Sequence, residues 1–228
     1  MLVVALLGLA AYLIGGIPFG YLIARAKGVD IFRAGSGNIG ATNVRRVLGP
    51  GPGNLCFVLD VLKGLLPTLA SGIVLGTLGN LNAQAHLTWG WLLTPVMTVV
   101  GHMASPWLRF RGGKGVATGL GALLGVFWLL TASVVAAFAV WVVVLKMSRY
   151  VGLASVCAAL SVPIWAVVFA VASSGGVPPS AVPMLSIAVL LAALVVARHT
   201  GNLKRILAGT EPRSDAKAES VPISQPRG

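Results

Sequence analysis

The sequence predicts an all-α integral membrane protein, and three observations carry that expectation. Of the 228 residues 57% are hydrophobic and only 10% charged, far from the composition of soluble domains. Several apolar stretches are long enough to cross a bilayer. The cations fall in short runs between those stretches, nearly all on one side of the layer. The formal charge of +12 is therefore a topological signal and does not point to nucleic acid.

The first stretch, residues 2–23, is long enough to span once. Its second half, Gly15-Gly16-Ile17-Pro18-Phe19-Gly20, has small residues for close packing and a proline at which to kink. No basic region precedes it, and Arg25 and Lys27 follow it. That argues against a cleaved signal peptide and for an N-terminus outside. A polar loop over 25–54 ends in Gly49-Pro50-Gly51-Pro52-Gly53, a turn signal. Residues 55–78 form the second span, with Asp60 and Lys63 inside it. At spacing i, i+3 the two share a helical face and neutralise each other. The uncharged stretch 79–87 is an outer loop. Residues 89–105 form the third span, with Trp89, Trp91 and Trp107 near its ends as in an aromatic belt.

Residues 116–145 pose a counting problem. One helix of that length would be ~45 Å long, too long for an untilted crossing. It would also put Lys146 and Arg149 outside. Two halves of ~22 Å each are too short for a full crossing. The expectation is a hairpin of two short helices with both ends on the basic side. Residues 151–172 lead out, 173–183 form an outer loop, and 184–197 return. Residues 1–209 then form a single membrane domain of seven helices, N-terminus outside and C-terminus cytoplasmic. From 210 to 228 the chain reads as a disordered cytoplasmic tail. Of the 17 lysines and arginines, only Lys63 falls inside a span and none falls outside. Cys56 and Cys157 sit in apolar surroundings without metal-ligand or redox spacing, so they read as core residues.

Three polar segments gather on the basic side. The most distinctive is Gly35-Ser36-Gly37-Asn38-Ile39-Gly40-Ala41-Thr42-Asn43-Val44-Arg45-Arg46. Its glycines let backbone N–H groups approach a ligand, its side chains offer small hydrogen-bonding groups, and its arginines match phosphate oxygens. It fits neither nucleotide-binding glycine pattern. The second, residues 105–118, holds Arg111-Gly112-Gly113-Lys114-Gly115, where missing side chains leave room for an anion. The third is Arg198-His199-Thr200-Gly201-Asn202-Leu203-Lys204-Arg205. His199 and Asn202 share a face if the helix continues. Together these segments suit an anionic, phosphate-bearing substrate; plain headgroup contact would not require Asn38, Asn43, His199 or Asn202. No carboxylate-rich metal site, no His-x-x-x-x-Asp pair and no Ser/His/Asp order is present. His102 reads more readily as a packing residue than as a base. Chemistry here rests on electrostatic positioning and an activated donor. A transporter or flippase for a phosphate-bearing solute or lipid is the alternative. Buried charge at Asp60 and Lys63 favours it; weak internal repeats and the one-sided polar residues count against it.

These residues, with Asp60-Val-Leu-Lys63-Gly64, Gly101-His102, Ser148-Arg149-Tyr150 and Arg198-His199-x-x-Asn202 in that order, resemble the bacterial acyl-phosphate-dependent glycerol-3-phosphate acyltransferases, the PlsY type. The resemblance runs to about residue 209. It implies a seven-helix protein of the bacterial inner membrane with its site on the cytoplasmic face. The implied reaction moves a fatty acyl chain from acyl phosphate to the 1-hydroxyl of glycerol 3-phosphate, giving lysophosphatidic acid and phosphate; neither a cofactor nor a metal is expected. It implies membrane lipids as surroundings and a functional link to an enzyme that makes acyl phosphate. Ser36, Arg46, Lys114, His199 and Asn202 are the implied catalytic residues. Gly37, Asn38, Gly40, Thr42, Asn43, Arg45, Lys63, His102, Arg111, Gly112, Gly113 and Arg198 are the candidate substrate-binding residues. It also implies proton transfer assisted by the acceptor's own phosphate. One departure stands out: the family's Ser-Arg-Tyr-Val-Ser reads here with Gly152 in last place.

Overall fold

The computed structural model describes residues 1–80 and 83–214. Among them the structure is all-α, with nine α-helices: α1 (Leu2–Gly15), α2 (Phe19–Ala26), α3 (Ala41–Leu48), α4 (Pro50–Val74), α5 (Ala85–Met103), α6 (Val116–Leu124), α7 (Leu129–Ser148), α8 (Val151–Ser174) and α9 (Val182–Leu207). Five segments are long and apolar enough to cross a membrane: α1 with α2, then α4, α7, α8 and α9. Leu2, Leu9, Ile73, Val135, Phe138 and Ile164 are exposed large apolar side chains on these segments, as lipid-facing surfaces require.

Two helices exceed the seven expected, and each has a local cause. The first span is broken into α1 and α2 at Gly16-Ile17-Pro18, where proline removes a backbone donor. The first polar loop carries the short helix α3, which buries Asn43 and Val44. The Gly-Pro run expected to be a turn is instead the first turn of α4, with proline at its start. A helix's first N–H groups have no intrahelical partner, so proline costs little there. Gly53 also leaves room for Arg45, whose Cα and Cβ fill the space of a side chain.

The segment expected to be a hairpin of equal halves has unequal arms. Helix α6 has 9 residues and α7 has 20, about 14 Å and about 30 Å of helix. Both ends nonetheless meet at one end of the bundle. Lys114, just before α6, reaches Asn202 of α9. Gly152, just after α7, also packs on Asn202. The short arm is held by backbone-to-backbone packing. A Cβ on Gly64 of α4 would meet the Ala122 nitrogen at 2.8 Å, and one on Gly121 of α6 would run into Val61. Small residues at such crossings let helices pack without a hydrophobic driving force.

The main core joins α5 through α9 around Trp91, Leu92, Val126, Leu130 and Leu191. A second, smaller core joins α2, α3 and α4 around Ala24, Ile31, Ile39, Val44 and Cys56. Helix α9 runs well past the expected end at residue 197. Beyond it, Gly209 takes a φ of +69°, and the chain doubles back. Residues 210–214, expected in the tail, pack on the end of the bundle: Glu211 N–H donates to the Arg205 carbonyl and Ser214 N–H to the Arg149 carbonyl. The rest of the expected tail, 215–228, lies outside the described residues.

Candidate active site

The glycine loop is organised by one amide. The buried Asn43 side chain donates to the Ala34 carbonyl at 3.0 Å and the Asn38 carbonyl at 2.9 Å. Its Oδ1 accepts the Ser36 N–H at 2.8 Å. Asn38 Oδ1 in turn accepts the Gly40 N–H at 2.8 Å. Gly35 and Gly37 sit at φ +57° and +67°, the left-handed region that a side chain disfavours. Gly40 caps α3. Asn38 and Asn43 thus shape the loop, while the Ser36 residue and Thr42 remain exposed. Arg45 is exposed and Arg46 half-buried, both in the last turn of α3.

The second segment is fixed from two sides. Gly113 N–H donates to the His102 carbonyl at 3.0 Å, and a Cβ on Gly113 would collide with the His102 ring. Arg198 closes the other side. Its Nε and Nη2 donate to the Gly113 carbonyl, and Nη2 also to those of Met103 and Gly112, over 3.0–3.3 Å. Arg198, expected to hold substrate, here clamps the backbone that presents Lys114. Arg111 is exposed and lines a cavity with Arg25 and Arg109.

Lys114 and the end of α9 complete the arrangement. Lys114 Nζ donates to Asn202 Oδ1. Asn202 Nδ2 donates to Glu211 Oε1 at 2.5 Å, and Arg205 Nε donates to Glu211 Oε2 at 2.7 Å. This chain fixes the Asn202 amide, since its oxygen must face the ammonium and its nitrogen the carboxylate. Helix α9 continues, so His199 does share a face with Asn202, one turn earlier. His199 Nδ1 lies 2.7 Å from the Val195 carbonyl. A carbonyl only accepts, so Nδ1 carries the hydrogen, and in the neutral form of the ring Nε2 keeps a lone pair. Burial pushes the Lys114 pKa down to about 8; Glu211 opposes this shift, while Arg205, Arg46 and Arg198 add to it.

Lys63 and His102 lie deeper. Lys63 Nζ pairs with Asp60 Oδ1 at 2.7 Å and donates to the Ile17 carbonyl at 2.7 Å, an acceptor exposed by the break between α1 and α2. His102 Nδ1 stands 3.8 Å from the same Asp60 oxygen, beyond hydrogen-bond reach. Cys56 Sγ donates to Asp60 Oδ2 at 3.7 Å. These four side chains form a buried knot beneath the Gly-Gly-Lys-Gly loop, and in this structure Lys63 is taken up by protein partners.

The structure therefore brings Arg46, Lys114, Arg198, His199 and Asn202 to one end of the bundle, with Arg205 and Glu211 added. Glu211 was not anticipated from sequence. Its signal was there: it is the first carboxylate after Asp60, and it follows a glycine that reverses the chain. Gly152 also finds a reason. A Cβ there would lie 2.9 Å from Asn202 Cβ and 3.1 Å from its Nδ2. The space a serine would take is filled by Asn202 itself.

A family model described as glycerol-3-phosphate acyltransferase matches residues 5–209. A glycerol-3-phosphate acyltransferase of Thermosynechococcus vestitus is 42% identical over 220 residues, covering 94% of this chain and 96% of the relative. One from Aquifex aeolicus is 40% identical over 203 residues, covering 89% and 95%. The crystal structure of PlsY (YgiH), an integral membrane glycerol 3-phosphate acyltransferase, in its glycerol 3-phosphate form, superposes with a TM-score of 0.78 at 38% identity. It covers 92% of this chain and 94% of that one. Its lysophosphatidic acid form gives a TM-score of 0.76 at the same identity. With the fold, the order of polar segments and nearly the full length in common, this chain belongs to the glycerol-3-phosphate acyltransferase family.

Proposed function

We propose that this enzyme transfers a fatty acyl group from acyl phosphate to the 1-hydroxyl of glycerol 3-phosphate. The hydroxyl oxygen forms a bond to the acyl carbonyl carbon. The bond from that carbon to the bridging phosphate oxygen breaks, and its electron pair leaves with the phosphate. The hydroxyl proton passes to a phosphate oxygen, first that of the acceptor. The products are lysophosphatidic acid and inorganic phosphate.

The observation that carries this reading is Lys114 seated on Asn202, with Arg46, Arg198 and Arg205 as its cationic neighbours. Such a cluster suits two phosphate-bearing substrates and a leaving phosphate. In this reading Lys114 and Arg46 hold phosphate oxygens, and the Ser36 hydroxyl adds a hydrogen bond. His199 Nε2 and Asn202 orient the acceptor. Gly37, Gly40, Gly112 and Gly113 keep the backbone close to the ligands. A good leaving group and a phosphate that takes the proton remove the need for a strong protein base. The cation-rich end is the cytoplasmic face of a bacterial inner-membrane protein, as the charge distribution favours. A separate enzyme that makes acyl phosphate supplies the donor.

The test is turnover by the purified protein in liposomes, with labelled glycerol 3-phosphate and either palmitoyl phosphate or palmitoyl-CoA. The reading expects labelled lysophosphatidic acid and one inorganic phosphate per product from palmitoyl phosphate. Product from palmitoyl-CoA alone would overturn the donor assignment. No product from either would overturn the reaction.

A further inference from the structure

A cavity of about 620 Å³ opens at the basic end between α2 and the loop after α5, lined by Arg25, Arg109, Arg111, Tyr21 and Phe32 among others. Of these only Arg111 was a candidate substrate-binding residue by sequence, and the structure places it in the lining of this cavity. The carboxylate on its wall, Asp30, is already occupied: Arg33 Nε stands 3.4 Å from it, and it accepts the Phe32 N–H at 3.1 Å. Arg25 donates to Tyr21 OH at 3.1 Å. Arg109 and Arg111 have no acidic partner among the described residues. The cavity therefore carries an excess of fixed positive charge with guanidinium donors to spare.

A second, apolar groove of about 270 Å³ adjoins it and shares Tyr21, Trp107 and Leu108; Ile17, Pro18 and Leu22 complete its lining. It follows the break between α1 and α2, inside the segment long enough to span. The loop between the two spaces is held firmly. Ser105 Oγ donates to the Gly16 carbonyl at 2.6 Å, Trp107 Nε1 to the Leu13 carbonyl at 3.1 Å, and Ser105 bridges Arg111 through the backbone. Trp107 is 58% and Phe110 71% exposed, as residues at a membrane interface are.

We propose that this paired cavity and groove is a binding site for one anionic bilayer phospholipid, distinct from the acyl-transfer site. The phosphodiester sits against Arg25, Arg109 and Arg111, and one chain leaves along the groove beside Pro18 and Leu22. A soluble phosphate would use the arginines alone; the adjoining groove makes the ligand a lipid. A headgroup with its own ammonium would lose charge complementarity.

The test counts lipids retained by the protein after incubation with equal phosphatidylglycerol and phosphatidylcholine in mild detergent, read by native mass spectrometry. Wild type should hold one phosphatidylglycerol in preference. Arg25→Ala with Arg109→Ala should lower that occupancy by about tenfold or more, at an unchanged thermal midpoint. Arg25→Lys with Arg109→Lys should keep much of it, and Lys204→Ala all of it. Equal retention of the two lipids, or retention unchanged in the double alanine variant, would overturn the site. Displacement by soluble glycerophosphoglycerol as effective as by the whole lipid would overturn the groove's part. Lysophosphatidic acid outcompeting phosphatidylglycerol with the same arginine dependence would overturn the bilayer source and give the site to the product.

Discussion

The Lys114 ammonium donates to the Asn202 side-chain oxygen across 88 residues of chain, and Glu211 holds the other end of that amide at 2.5 Å. The lysine comes from a glycine loop, the asparagine from the last helix, and the glutamate from the chain reversal after it. The Lys114–Asn202 contact therefore depends on the chain end folding back. Glu211→Gln removes the charge that dictates which way Asn202 faces. A hydrogen bond to a charged group contributes about 1.5–3 kcal/mol. The variant should lose roughly tenfold or more in kcat/KM for glycerol 3-phosphate, with a lowered thermal midpoint. Initial rates and unfolding in the same detergent check this, and unchanged values for both would refute the orienting role.

The charge state of Lys114 sets a pH limit. Its pKa lies below the usual lysine value, at about 8, chiefly through burial. The ammonium is present below that pH and lost above it. If the ammonium holds phosphate, kcat/KM should fall above about pH 8, by about tenfold per unit once neutral lysine dominates. Bound phosphates favour the ammonium, so the fall in kcat should lie at higher pH. Lys114→Arg should remove this alkaline limb, since a guanidinium stays charged. A wild-type kcat/KM that is flat from pH 7 to 10 would contradict the assignment.

Gly113 has no space for a methyl group because the His102 ring occupies it. Gly113→Ala should displace the loop and lower kcat/KM by about tenfold or more, since small misplacement in a positioned site is costly. Removing the ring makes room. Gly113→Ala combined with His102→Ala should recover part of the loss relative to Gly113→Ala alone. A double variant no better than the single would show that the steric account is wrong.

The Asp60–Lys63 pair at 2.7 Å, 2–3% exposed, is tied to the break in the first span through the Ile17 carbonyl. Removing one member of a buried pair leaves an unpaired charge and costs about 3–5 kcal/mol. Asp60→Asn and Lys63→Met should each lower the thermal midpoint strongly. Asp60→Asn/Lys63→Met together should cost less than the sum. Additive losses in a double-mutant cycle would argue against the pairing.

Much of this was legible in the sequence, for identifiable reasons. Span lengths and one-sided cations read directly as an all-α membrane bundle, because bilayer thickness and charge act locally along the chain. The hairpin after Lys114 was inferred from length and charge. Its unequal arms were not, because Gly64 and Gly121 set the short helix by a contact between distant segments. The Gly-Pro run at 49–53 was misread as a turn, since proline at a helix start and proline in a turn look alike in sequence. Arg198 stands in the sequence as a candidate substrate-binding residue, and the fold adds the three backbone carbonyls it holds. Glu211 was passed over because polar composition alone does not reveal a chain that folds back onto its helix.

The most direct measurement is acyl transfer in membranes that contain this protein and lack other glycerol-3-phosphate acyltransferases. Labelled glycerol 3-phosphate and palmitoyl phosphate are supplied to wild type and to Lys114→Ala, with insertion of both verified. Wild type should form labelled lysophosphatidic acid, and the variant should fall by about 10²-fold or more, as when one electrostatic stabiliser is removed. A correctly inserted Lys114→Ala protein that turns over at the wild-type rate would contradict the placing of the site at Lys114 and Asn202.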